Sequence, residues 1–308
     1  MVVTHGSLQR ARGRCALTIG NFDGVHRGHR ALIERVTARA RELAVSACVL
    51  TFEPHPREFF SGDAAGERLT RLRDKLELIG AAGVDRVHIA KFDRGFAALP
   101  AQRFIDEVLV RGLGAQWLLV GRDFRFGAGR QGDYSALQAA GAQQGFEVQA
   151  MPDVVFHGER VSSSAVRALL RSGELAAAER LLGHPYTISG RVAHGAKLGR
   201  SLGFPTANIP LRRPPPLSGI FVVEVTGLGT SAKAGVASIG KRPTVNPVPL
   251  PLLEVHLFDW EGELYGKHLT VRIMQKLRDE RKYDDLAALK DAIARDARDA
   301  REYLANHG

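Results

Sequence analysis

A chain of 308 residues is long for one hydrophobic core and predicts two domains. Its 44% apolar and 25% charged residues suit a folded globular protein; no apolar stretch approaches bilayer-spanning length, and two separated cysteines, Cys15 and Cys48, exclude a disulfide framework. The net charge of +10 fits a nucleic-acid binder or a solvated basic surface facing phosphate substrates; without long runs of like charge or aromatic-interleaved basic stripes, the second reading is preferred. Arg10, Arg12 and Arg14 have no apolar core between them, which predicts no signal peptide and, with the cysteine usage, a cytoplasmic protein.

Up to about residue 184 strands and helices alternate. Strands are predicted at Ala16–Ile19, Ala47–Phe52, Arg86–Phe92, Trp117–Val120 and Glu147–Met151. Helical periodicity fills His29–Leu43, Leu72–Ala82, Ala101–Arg111 and Ser135–Gln144, followed by short helices Ser163–Arg171 and Glu174–Leu182. That alternation predicts an α/β doubly wound parallel sheet, with ligands beyond the carboxyl ends of its strands. Character changes near Gly183-His184-Pro185. Strands at Thr187–Val192, Ile220–Val225, Lys233–Ile239, Leu253–Asp259 and Leu269–Met274 then predict a small antiparallel β-barrel. A C-terminal helix, Leu286–Leu304, carries apolar Leu286, Leu289, Ile293, Ala300 and Leu304. The expected domains are 1–184 and 185–308.

The most informative stretch is Thr18-Ile-Gly-Asn-Phe-Asp-Gly-Val-His-Arg-Gly-His29, where the first strand runs into a glycine-rich turn and a helix start. Free backbone N–H groups and the helix dipole favour an anion there. Gly24 and Gly28 permit close backbone approach, and His26 and His29 are placed to donate to a triphosphate. A zinc pair or two ordinary helix-start histidines are the competing readings; no further ligand cluster lies nearby in sequence.

Three more segments follow strand ends. Thr51-Phe-Glu-Pro-His-Pro56 predicts an extended turn presenting His55 and Phe59 to a flat ring. Gly121-Arg-Asp-Phe-Arg-Phe-Gly127 carries Asp123, with Phe124 and Phe126 most simply core. Ser162, Ser163, Ser164 and Arg167 open a helix, as an N-cap or as a phosphate clamp.

Together these segments resemble the HxGH nucleotidyltransferases, and the long GNFDGVHRGH form resembles the FAD synthetase module of bacterial bifunctional riboflavin kinase/FAD synthetases. The resemblance implies that His26 and His29 contact ATP phosphates within a turn whose Gly20, Phe22, Asp23 and Gly24 bind nucleotide or flavin. It further implies that Asp123 and its neighbours, and His55, hold FMN or adenosine, and that Ser162, Ser163, Ser164 and Arg167 form the second nucleotide clamp. Serine stands at 164 where the family often has threonine, which keeps the hydroxyl. In adenylyl transfer the FMN phosphate attacks the α-phosphorus of ATP and pyrophosphate leaves; the nucleophile is already an anion, so positioning and charge stabilisation suffice.

In the second half, residues 190–208 form a strand and a glycine-spaced loop in which Gly195, Lys197, Gly199 and Arg200 suit nucleotide phosphates. Thr206 and Asn208, two apart in an extended segment, offer a hydroxyl and an amide oxygen to Mg²⁺, although Pro-Thr-Ala-Asn also reads as a plain turn. In Leu253–Asp259, Glu254 and His256 share one strand face; a glutamate so placed is ordinarily solvated, but beside a phosphate loop it can accept a proton from a substrate hydroxyl. The stretches GRSLGFPTANI, GVASIGKRPTV, LEVHLFDWEGELYG and KLRDERKY resemble the riboflavin kinase domain. That resemblance implies Thr206 and Asn208 as Mg²⁺–ATP ligands and Glu254 as the base toward the ribityl hydroxyl. The proline-rich segment before Leu253 departs from the family pattern.

The expectation is therefore a two-step enzyme using ATP and Mg²⁺: riboflavin to FMN, then FMN to FAD, without nucleic-acid or membrane partners. One alternative is a single-activity nucleotidyltransferase with a regulatory barrel, against which Pro-Thr-Ala-Asn and Glu254 speak. The other is a basic nucleic-acid binder on an old nucleotide fold, for which the sequence offers no aromatic platform.

Overall fold

The computed structural model describes residues 1–6, 11, 13–62, 66–194, 204, 206–241, 251–283 and 285–307. The chain forms two compact units, one of residues 1–66 and 72–162, the other of 67–71 and 163–308.

In the first unit β1 (Val2–His5), β2 (Cys15–Ile19), β3 (Ser46–Glu53), β4 (Arg86–Lys91), β5 (Ala115–Gly121) and β6 (Glu147–Met151) make a parallel sheet. Its order is β1-β4-β3-β2-β5-β6. Between the strands run α1 (Arg27–Glu42), α2 (Pro56–Ser61), α3 (Leu72–Ala81), α4 (Arg94–Ala97), α5 (Ala101–Arg103) and α6 (Tyr134–Gln144). All five residues of β2 are buried, as a central parallel strand covered on both faces requires. Ile33 of α1 and Ile79 of α3 pack on Val49 and Val87. On another cluster Phe104, Ile105, Leu109 and Leu137 cover Leu17, Leu50 and Leu118. Each such side chain contributes about 1.5–3 kcal/mol by leaving water. The strand order reverses between β2 and β5, so the turn after β2 occupies the switch point where doubly wound sheets bind ligands. Both cysteines are free and buried, on neighbouring strands.

Three local features depart from the sequence reading. The edge strand β1 was not anticipated; its exposed Val-Val-Thr-His is too short to carry a periodic signal. The helix predicted over Ala101–Arg111 is a single α-turn widening into a π-helix, Phe104–Leu113. The segment after Pro54 is not extended: His55 caps α2, its side chain accepting from the Arg57 N–H at 3.1 Å, with Glu58 completing a capping box. A hairpin, β7 (Val155–Phe156) and β8 (Glu159–Arg160), follows the sheet.

The second unit begins with α7 (Ser163–Arg171) and α8 (Leu175–Leu182). Six antiparallel strands follow, β9 (Thr187–Arg191), β10 (Ala207–Pro210), β11 (Gly219–Thr226), β12 (Lys233–Lys241), β13 (Pro251–Leu257) and β14 (His268–Arg278). They are ordered β10-β13-β12-β11-β14-β9, and the Ala193 N–H, donating to the Asn208 carbonyl at 2.8 Å, brings the two edges together into a nearly closed barrel. Leu253, Val255 and Leu257 alternate inward along β13. The last helix, α9 (Leu286–His307), lays Ala297, Ala300 and Leu304 against Val222, Val236 and Phe258. Leu286, expected on the apolar face, is exposed instead. Asp296 takes a buried place because Arg278 grips it with two bonds, at 2.8 and 2.6 Å.

Candidate functional sites

The turn after β2 is strained by design. Phe22 and Val25 hold positive φ of 49° and 39°, and Gly24 lies at 88°. Complete burial of the Phe22 and Val25 side chains holds this geometry in place. The turn delivers His26 to the N-cap of α1, where its Nδ1 accepts from the His29 N–H at 3.3 Å. In neutral His26 the proton is therefore on Nε2. The His26 and His29 rings stack with centroids 3.6 Å apart and 15° between planes. A Cβ at Gly28 would press on the His26 ring at 3.2 Å, which explains the glycine between the two histidines. His29 is half-buried, leans on Phe22 at 5.0 Å, and its Nδ1 is a buried nitrogen without a hydrogen-bond partner. Burial foremost, then the His26 and Lys75 charges, holds its pKa well below the usual imidazole value. Two stacked imidazoles at a helix N-terminus, with His29 held toward the neutral form, make a donor array suited to phosphate.

The other predicted residues of this unit are placed less uniformly. Asp23 is buried within the turn. His55 spends its Nδ1 on capping α2, and Phe59 packs against Phe60 and Phe92 at 5.1 and 5.5 Å. Phe60, not singled out by sequence, is 71% exposed and offers an aromatic face beyond the β3 end. Asp123 faces solvent and pairs with Arg160 of β8 at 3.6 Å. Phe124 and Phe126 stack, with Phe126 in the core as expected. Arg27 lies over the Phe156 ring at 4.3 Å, anchoring the β7–β8 hairpin beside the start of α1. Ser162 ends the first unit, while Ser163, Ser164 and Arg167 open α7 in the second. There buried Arg167 donates from Nε to the Glu67 carbonyl at 3.0 Å.

In the barrel, antiparallel register sets Asn208, Glu254 and Ser238 directly opposite one another across β10, β13 and β12. Directly opposed residues share a sheet face, so the amide and the carboxylate predicted to cooperate are cross-strand neighbours. Asn208 is only 6% exposed and donates from its side-chain nitrogen to the Thr206 carbonyl at 3.3 Å, while its Oδ1 is buried without a hydrogen-bond partner. An orphaned amide oxygen beside a threonine fits a hard cation. Ser238 donates to Glu280 at 2.8 Å, and that carboxylate lies so close over Gly240 that any Cβ there would collide. Glu280 also lines a cleft of ≈ 430 Å³, partly open to solvent, whose wall includes Pro214, Pro215 and Pro216. Neither Ser238 nor Glu280 was singled out by sequence, since only the register sets Ser238 opposite Glu254 and only the Ser238 hydrogen bond ties in Glu280. Gly195, Lys197, Gly199 and Arg200 lie outside the described residues, as does most of the proline-rich segment before Leu253.

Comparison with known proteins agrees with this two-part geometry. The FAD synthetase family matches residues 8–165, and the riboflavin kinase family matches residues 182–304. The bifunctional riboflavin kinase/FMN adenylyltransferase of Escherichia coli (strain K12) is 51% identical over 301 residues, covering 97% of this chain and 96% of that one. Its namesake in Pseudomonas fluorescens is 50% identical over 292 residues, 94% and 93% of the two chains. That of Haemophilus influenzae is 46% identical, with 94% of each covered. Among solved structures, the macrolide-efflux protein from Streptococcus pneumoniae superposes with a TM-score of 0.77 at 26% identity, over 96% of this chain and 97% of that one. No helix among the described residues is long and apolar enough to cross a membrane. The chain belongs to the bifunctional riboflavin kinase/FMN adenylyltransferase family.

Proposed function

We propose that the family's two activities are divided along the chain, adenylyl transfer within 1–184 and riboflavin phosphorylation within 185–308. The chain is a riboflavin kinase and an FMN adenylyltransferase: riboflavin, FMN and ATP are its substrates, and FAD is its final product. The reading of a single activity with a regulatory barrel is not favoured.

In adenylyl transfer the FMN phosphate displaces pyrophosphate from the α-phosphorus of ATP. His26 and His29 donate to the phosphates from the N-terminus of α1, where the helix dipole adds to the same effect. The stacked pair over Gly28 is the observation that carries this assignment. The Phe59–Phe60–Phe92 cluster suits the flavin ring, and Ser162, Ser163, Ser164 and Arg167 are assigned to the nucleotide clamp.

In the kinase step Glu254 takes the proton of the ribityl hydroxyl as its oxygen attacks the γ-phosphorus of ATP, the bond to the β,γ-bridging oxygen breaks and ADP leaves. Its place opposite Asn208 supports that role. Asn208 Oδ1 and the Thr206 hydroxyl would hold Mg²⁺, which when bound shields phosphate oxygens and orients the leaving group. Lys197 and Arg200 are assigned to the ATP phosphates, and the cleft beside Glu280 to the flavin. The setting expected for these reactions is the cytoplasm.

The test is a double dissociation. His29→Ala is expected to abolish FAD formation from supplied FMN while leaving riboflavin phosphorylation intact; Glu254→Gln is expected to do the reverse. Loss of both activities in either variant contradicts the division.

A further inference from the structure

Lys75 of α3 is only 1% exposed, and a lysine almost never lies that deep in a protein without a task for its charge. The ammonium reaches the Thr51 hydroxyl at 3.4 Å, and that hydroxyl donates in turn to the Asn21 carbonyl at 3.3 Å. Asn21 belongs to the turn after β2, and Thr51 stands near the carboxyl end of β3. The lysine thus ties together two neighbouring strand ends at the switch point of the sheet. Its helix packs on the same cluster as Phe22, Val25 and Ile33, the residues that shape the strained turn and the first turns of α1.

We propose that Lys75 is a positioning residue for adenylyl transfer, its buried ammonium bracing the histidine turn through Thr51 and adding fixed positive charge behind the triphosphate site. The inference rests on the assignment of ATP phosphates to His26 and His29. A charge held in low dielectric needs no reorganisation when negative charge builds on the phosphates. It also acts on His29 itself. The groups whose charges bear on that imidazole are His26, from its own turn, and Lys75, from α3, and both favour the neutral form. Lys75 thus adds, after burial and the His26 charge, to the effects that hold His29 neutral beside the stacked His26 ring.

The experiment measures FMN adenylylation as kcat and KM for ATP across pH in Lys75→Met, Lys75→Arg and Thr51→Val, with His29→Ala beside them. Methionine keeps the buried length without the charge. The expected kcat loss in Lys75→Met is on the order of 10–100-fold, the scale of a small misplacement of reacting groups. The acid limb of its pH profile should move to higher pH, because His29 without a cationic neighbour binds a proton more readily. Arginine should restore part of the turnover and move the limb back. If Lys75→Met does not fold, Thr51→Val carries the test, with reduced kcat expected and wild-type kcat overturning the proposal. Wild-type turnover in Lys75→Met, or a loss with an unmoved acid limb, overturns the role of Lys75 while His29→Ala stays inactive. An active His29→Ala instead removes the site assignment beneath it.

Discussion

At the scale of single residues, protonation state decides what the histidine pair can do. His26 gives Nδ1 to a backbone N–H, and protonating that nitrogen would break the N-cap of α1. His29 titrates below the ordinary imidazole value of 6.5, so at that pH, where a free imidazole is half charged, it is still neutral. The sign of the shift sets the expectation: kcat/KM for adenylyl transfer should hold as pH falls through 6.5 and decline only below it. A decline already centred at 6.5 or above would show an unshifted histidine. For the kinase, Glu254→Gln is expected to cost on the order of 10²–10⁴-fold in kcat, the range for a lost general base. The histidine turn, Pro-Thr-Ala-Asn and Glu254 could be proposed from the sequence because their motifs are written in neighbouring residues. Lys75, Phe60, Ser238 and Glu280 could not, because only packing or strand register brings them near the proposed sites.

At the scale of elements, β10 and α9 show how the barrel supports its residues. Asn208 is locked by its register with Glu254, and its backbone carbonyl accepts from Ala193 as the barrel edges meet. Asn208→Ala should therefore raise the Mg²⁺ and ATP requirement of riboflavin phosphorylation alone; equal loss in FAD formation from FMN would point to unfolding. The Arg278–Asp296 fork fastens the end of β14 to α9 across a largely buried contact. Asp296→Ala leaves the guanidinium without its carboxylate and should destabilise the barrel unit by about 3 kcal/mol, read as a lowered denaturation midpoint. An unchanged midpoint would show that α9 is held by apolar contacts alone. Most elements were readable from periodicity, since buried parallel strands and amphipathic helices carry strong patterns. The exceptions have physical causes. Strand β1 is short and exposed, α2 is nucleated by the His55 cap rather than by apolar spacing, and the π-helix shares the hydrophobic pattern of an α-helix. Buried Asp296 fills a face position that periodicity assigns to apolar residues, and Arg278 makes that possible.

At the scale of the whole molecule, one chain carries two unrelated architectures, and each solves a phosphate problem in its own way. Doubly wound parallel sheets gather ligands at the carboxyl ends of their strands, so the site proposed here is a turn and a helix start. The barrel uses cross-strand register, which puts a carboxylate and an amide on one face without help from a helix. The central claim is that these two sites act in series on one flavin. Its most direct test is chromatography of the products that the purified chain forms from riboflavin, ATP and Mg²⁺ over time. FMN should appear first and FAD should accumulate at its expense; no flavin product, or FAD only when FMN is supplied, would contradict the account.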